Sequence, residues 1–203
     1  MGDRDGLDGD RRDLRRSVVQ VLDSRGECAG TGFLLEGGVV VSCAHVIAGN
    51  GRGDGSPPAG PVMVRFPHLD GQDRPAEIIT EWWQGPDQGD VAFLRMAGSP
   101  PEQARPLRLA ERALVGRRVN AFGFPINAPA GGHHGYGVVG DRLTSDAGHL
   151  WVQLREATEI TEGFSGAPAV DERTGLVVGM VDAVTAPDRL GRGTETAYLI
   201  PAE

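Results

Sequence analysis

Ser165 stands in "TEGFSGAPAV" (161–170), with a glycine two residues before it and another directly after it. A serine hydroxyl is a weak nucleophile. To attack an acyl carbon it needs an imidazole to take its proton, a carboxylate to hold that imidazole in one tautomer, and N–H groups to receive the oxyanion. The sequence offers a candidate for each. His45 ends the apolar run "VVVSCAHVI", where a polar ring needs a partner if buried. Asp90 opens the apolar segment "DVAFLRM", with Asp87 as a nearby rival. Gly163 permits a backbone twist that other residues resist, which would aim the N–H groups of Gly163 and Ser165 at one point. Each residue also has a plain structural role open to it: a turn serine, a hydrogen-bonded core histidine, an acid at a strand end. His133 and His134, in "AGGHHGYG", read as surface residues of a glycine loop. No cysteine or carboxylate stands at ligand spacing around them, so no metal site is expected.

Chain order separates the hydrolase classes. "GFSGA" is one residue short of the G-x-S-x-G elbow of α/β-hydrolases, whose histidine follows the serine. Here the last histidine is His149, before Ser165. That excludes the elbow. The subtilisin order, with the aspartate ahead of the histidine, is not met by His45, Asp90 and Ser165.

The elements that must position these residues read as strands. The 203 residues include 31 glycines and 14 prolines, too many breakers for an all-helical chain. Short runs rich in Val, Ile, Leu and Phe recur between turn clusters. They fall at 17–23, 30–36, 38–46, 61–66, 76–83 and 90–96, then at 118–124, 136–143, 149–156, 166–171, 176–184 and 196–201. A Pro-rich connector at 98–116 separates the sets. The expected organisation is a flexible tail (1–16), an N-terminal barrel (17–100) carrying His45 and Asp90, and a connector with a C-terminal barrel (101–203) carrying Ser165. A net charge of −8 argues against a nucleic-acid partner. The charged N-terminus is no secretory signal and no run is long enough to span a membrane, so a cytoplasmic setting and reduced Cys28 and Cys43 are expected. Cys43, inside an apolar run, reads as a buried core residue.

Three blocks, "GTGFLLEGGVVVSCAHVI", "DVAFLRM" and "EGFSGAPAV", are similar to the signature blocks of chymotrypsin-fold (trypsin-like) serine proteases, in the same order. "TAYLIP" resembles the last strand of bacterial members, including the HtrA-type proteases. The resemblance spans roughly 17–201. It implies an all-β chain of two perpendicular six-stranded antiparallel β-barrels, with the active site in the cleft between them. His45 would be the general base, Asp90 its orienting partner, and Ser165 the nucleophile. Gly163 and Ser165 would form the oxyanion hole, and Glu159, Asp182 and Ala197 the substrate pocket. The substrate would be a protein or peptide, and no cofactor is implied.

Departures from that family carry expectations of their own. Trypsin-like zymogens have an aspartate immediately before the nucleophile, and this chain has Phe164. Activation by a freed N-terminus pairing with that aspartate is therefore not expected. Glu159, six residues before the nucleophile, would sit at the pocket floor and await Arg or Lys. Asp182 stands where the family commonly has a serine backing the triad aspartate, and a carboxylate facing Asp90 would raise the pKa of one of them. The expected function is a serine endopeptidase module of a larger bacterial signalling or defence protein, with sensor or scaffold domains beyond Glu203. The alternative is a catalytically weak, protease-like binding module.

Overall fold

A computed structural model of the chain describes residues 14–49, 55–126, 131–144, 148–184, 189 and 195–203. The expected tail lies outside these except for its last three residues, of which Leu14 is buried in the core.

Six strands come from the first half: β1 (Val18–Leu22), β2 (Cys28–Leu35), β3 (Val39–Ser42), β4 (Val62–Arg65), β5 (Asp73–Ile78) and β6 (Ala92–Met96). They close into a barrel in the order β1-β2-β3-β6-β5-β4. Six more come from the second half: β7 (Arg118–Gly123), β8 (His133–Thr144), β9 (Leu150–Arg155), β10 (Pro168–Asp171), β11 (Val177–Val184) and β12 (Ala197–Pro201). They close in the order β10-β11-β12-β9-β8-β7. Closure leaves neither sheet with a free edge. The expected all-β architecture of two six-stranded antiparallel barrels is thus met. Burial alternates along β4 and β6, as it must when one strand face fills the barrel interior.

Three segments depart from the expected runs. The apolar run 38–46 is not one strand. Its ladder ends where Ser42 pairs with Ala92, and Ala44–Ala48 then form a short helix, α1, which carries His45 off the barrel rim. The run at 76–83 divides into the end of β5 and a single 3-10 turn, Thr80–Trp82. The glycine-rich "AGGHHGYG" is not a surface loop from His133 onward. His133 and His134 open β8 opposite Gly123 and Phe122, and both are half-buried. Glycine allows this close approach: a Cβ on Gly135 would stand 2.7 Å from Ile160, and Gly132 takes φ +65°.

The connector stitches the barrels together. The N–H of Leu107 donates to the carbonyl of Leu34, and the N–H of Ala110 to that of Val177. The first barrel's core of valines, Leu34, Phe66 and Leu94 also runs on into Phe122, Phe124 and Met180 of the second half. One apolar seam therefore joins the barrels and walls the cleft between them. Among the described residues no helix is long and apolar enough to cross a membrane.

Candidate active site

His45 occupies the first turn of α1, and its main-chain N–H donates to Asp90 Oδ1 at 2.8 Å. Its Nδ1 lies 2.5 Å from Asp90 Oδ2. A carboxylate only accepts, so Nδ1 carries the proton and Nε2 presents a lone pair. Asp90 reaches this place through local strain. It takes φ +57° directly after Gly89 at φ +128°, a left-handed conformation that aspartate tolerates better than most residues. Two main-chain bonds hold the turn, from Asp90 N–H to the Gly85 carbonyl and from Ala44 N–H to the Asp90 carbonyl. Asp87 is exposed, whereas Asp90 is buried, which separates the two rivals.

Ser165 lies between β9 and β10 in a loop with two glycines in the left-handed region, Gly163 (φ +99°) and Gly166 (φ +89°). A Cβ on Gly166 would stand 1.9 Å from the carbonyl oxygen of Thr31, so only glycine fits. The Ser165 hydroxyl donates to the main-chain carbonyl of Asp182 at 2.9 Å. Among the described residues the N–H groups of Gly163 and Ser165 have no acceptor. Both residues face a cavity of about 760 Å³ lined also by His45, Asp90 and Asp182. The arrangement brings a hydroxyl, an oriented imidazole and two spare N–H donors to one cleft, which is the equipment for acyl transfer.

Phe164 shows how the loop is anchored. Its side chain is fully buried against Ile160 and the backbones of Gly123 and Gly135, whose missing side chains make its pocket. Apolar packing thus occupies the place where the family's zymogens use an ion pair.

The charges in the cleft perturb one another. Burial pulls the pKa of His45 down, but the hydrogen bond and charge of Asp90 and the charge of Asp182 outweigh it, so the net shift is upward. Asp182 is pushed up to about 7, first by burial and then by its hydrogen bond to Asp90 and that group's charge. His45 and a hydrogen bond from Trp151 oppose the rise. The donor atoms of Cys43, His45, Asp90 and Asp182 all lie within 4.8 Å of one another. Burial, ahead of the two carboxylates, holds the Cys43 thiol well above its ordinary pKa, and the thiol donates to the Val181 carbonyl at 3.4 Å. Both cysteines are free.

Glu159 and Ala197 do not join the cleft, contrary to the expectation for the substrate pocket. In the turn after β9 the inward position belongs to Ile160, and Glu159 is left exposed, its carbonyl accepting from His133 Nε2 at 3.0 Å. Ala197 is fully buried in the second barrel, opposite Leu154. Glu27 and Glu162 line the cleft instead.

Thr31, like Glu27 and Trp151 of the cleft wall, was not singled out from sequence. Thr31 is fully buried where the barrels meet. Its N–H donates to the Ser165 carbonyl at 3.0 Å, its hydroxyl donates to the Gly163 carbonyl at 2.9 Å, and that hydroxyl accepts from the N–H of Phe124 at 3.1 Å. The signal was present in "GTG": glycine on both sides of a threonine marks a close backbone approach. A Cβ on Gly30 would meet Val46 at 2.8 Å.

Two closed barrels with this cleft define a chymotrypsin-fold serine peptidase. Residues 30–180 match the trypsin-like peptidase domain, and the chain belongs to that family. Among solved structures it is similar to the Rv3671c protease of M. tuberculosis in its active form, with 24% identity and a TM-score of 0.70 over 95% of this chain and 79% of that one. The inactive form of that protease gives 23% and 0.68 over 96% and 87%. The serine endoprotease from Yersinia pestis gives 20% and 0.68 over 96% and 62%. No curated protein matches the chain significantly.

Two substitutions test the anchoring of the loop. Phe164→Ala should destabilise the protein by about 3–5 kcal/mol in urea unfolding, because it empties a fully enclosed pocket. Thr31→Val keeps the shape but strips partners from two buried main-chain groups, and should cost about 1–3 kcal/mol per orphaned group. A Thr31→Val protein as stable as the wild type would remove Thr31 from the account.

Proposed function

We propose that this trypsin-like serine protease cleaves protein substrates with Ser165 as nucleophile, His45 as general base and Asp90 as the group that orients the imidazole. The observation that carries the reading is the paired bond from His45 to both oxygens of Asp90, with His45 and Ser165 on the wall of one cavity. In the first step Ser165 Oγ bonds to the scissile carbonyl carbon, and its proton passes to Nε2. The oxyanion is received by the N–H groups of Gly163 and Ser165. Collapse expels the amine, which takes the proton from Nε2. Water then repeats the sequence on the acyl-enzyme and releases the acid.

The lean toward Arg or Lys is carried by Glu162 and Glu27 rather than by Glu159. Both are exposed on the cleft wall, and among the described residues neither is in an ion pair. The wall's arginine, Arg25, is held by Asp23 at 3.1 Å. The M. tuberculosis and Y. pestis origin of the similar structures supports a bacterial setting.

A fluorophosphonate probe should label the wild type and leave Ser165→Ala and His45→Ala unlabelled, with turnover down about 10⁴-fold or more in each. A folded wild type that resists labelling favours a binding module. On a peptide library, Glu162→Gln should lower kcat/KM several-fold for substrates with Arg or Lys beside the scissile bond and leave apolar ones unchanged. Equal loss for both classes would refute the electrostatic basis.

A further inference from the structure

We propose that Asp182 is a positioning residue that shares one proton with Asp90, so that His45 faces a single carboxylate charge instead of two. The inference rests on the triad reading above and concerns this chain's substitution at that place. Asp90 comes from the first barrel and Asp182 from β11 of the second, and they are only 6% and 9% exposed. A carboxyl oxygen of each lies within 4.8 Å of one of the other. Two buried carboxylates that close repel, which raises the pKa of one of them, and a proton held between them supplies the donor that neither carboxylate has.

The neighbours decide which residue holds it. Both oxygens of Asp90 already accept from His45, one from the main-chain N–H and one from Nδ1. Asp90 is therefore the acceptor and Asp182 the donor. The indole of Trp151, which can only donate, lines the same cavity and is stacked on Tyr198 at 5.3 Å. A protonated Asp182 suits these neighbours: its O–H can donate to Asp90 while its carbonyl oxygen stays open to a donor. The other groups packed around it are His45 and the thiol of Cys43 from the first barrel and the hydroxyl of Ser165, while His149 and Glu162 line the same cavity. The main-chain carbonyl of Asp182 also receives the Ser165 hydroxyl. One residue thus meets both ends of the triad. The rise of its pKa to about 7 agrees with a proton retained at neutral pH.

The sign of the pH effect follows. When Asp182 ionises, a second negative charge stands beside the imidazole, raises its pKa and keeps Nε2 protonated to higher pH. Asp182→Asn retains an N–H donor and removes that charge. Because Asn is neutral, as the protonated carboxyl is, its acid limb of kcat/KM should coincide with that of the wild type below about pH 6, where Asp182 holds its proton. Asp182→Ala removes the donor too. Its kcat should fall about tenfold with little change in KM, the usual mark of lost transition-state positioning, and Asn should recover most of it. A protonated-carboxyl infrared band should be present at pH 6 in the wild type and missing in Asp182→Asn. Because the folded pKa is raised, burial of Asp182 costs stability as pH climbs from about 4 through about 7, so Asp182→Asn should melt above the wild type at pH 8 and level with it at pH 4. An acid limb that Asp182→Asn moves down by about a pH unit, or an Asn variant as slow as Ala, would overturn the inference. Labelling that persists in His45→Ala would instead sink the triad reading. Labelling lost there, with the displaced limb, would sink only the shared proton.

Discussion

The structure depends on a knot of hydrogen bonds around Thr31. Two barrels that each close on themselves have no strand in common, so nothing in either sheet dictates how they meet. Thr31 supplies that link. Through its N–H and hydroxyl it binds the carbonyls of Ser165 and Gly163, and through its own carbonyl it accepts from the hydroxyl of Ser42 at 2.7 Å. Ser42 is the last residue of the strand that launches α1 and His45. One buried residue therefore ties the turn that carries the imidazole to the loop that carries the nucleophile, through its main chain and its hydroxyl. Both sit in a low-dielectric seam, where an unmade bond would be costly.

The same seam explains the choice of small and apolar residues around the loop. Gly163 and Gly166 are required by their positive φ and by backbone atoms that a Cβ would strike. Phe164 between them turns inward and takes the space that Gly123 and Gly135 leave open. A loop pinned by packing needs no charged partner to hold it.

Much of this was legible in the sequence because barrel strands alternate with period two and are bounded by glycine and proline turns. All twelve strands fall within or beside the runs that such patterning marks. Where they differ, the cause is tertiary. His133 and His134 join β8 because neighbouring glycines admit Ile160 and Phe164 beneath them, a fact about another segment of chain. The apolar run through His45 breaks at Ser42 because the ladder partner ends there. Glu159 looked like a pocket floor by its distance from Ser165, but spacing along a turn does not say which way a side chain points, and Ile160 took the inward place.

The sequence by itself determined the strand content, the two-part division, and the order His45, Asp90, Ser165 that excludes the α/β-hydrolase and subtilisin arrangements. These are local patterns or questions of order, which a linear chain records. Only the tertiary structure decided that Asp90 rather than Asp87 meets the imidazole, that Thr31 joins the barrels, and that the carboxyls of Asp90 and Asp182 share one buried place. Residues from separate barrels met there, and their burial and mutual charge exist only once the chain has closed around them.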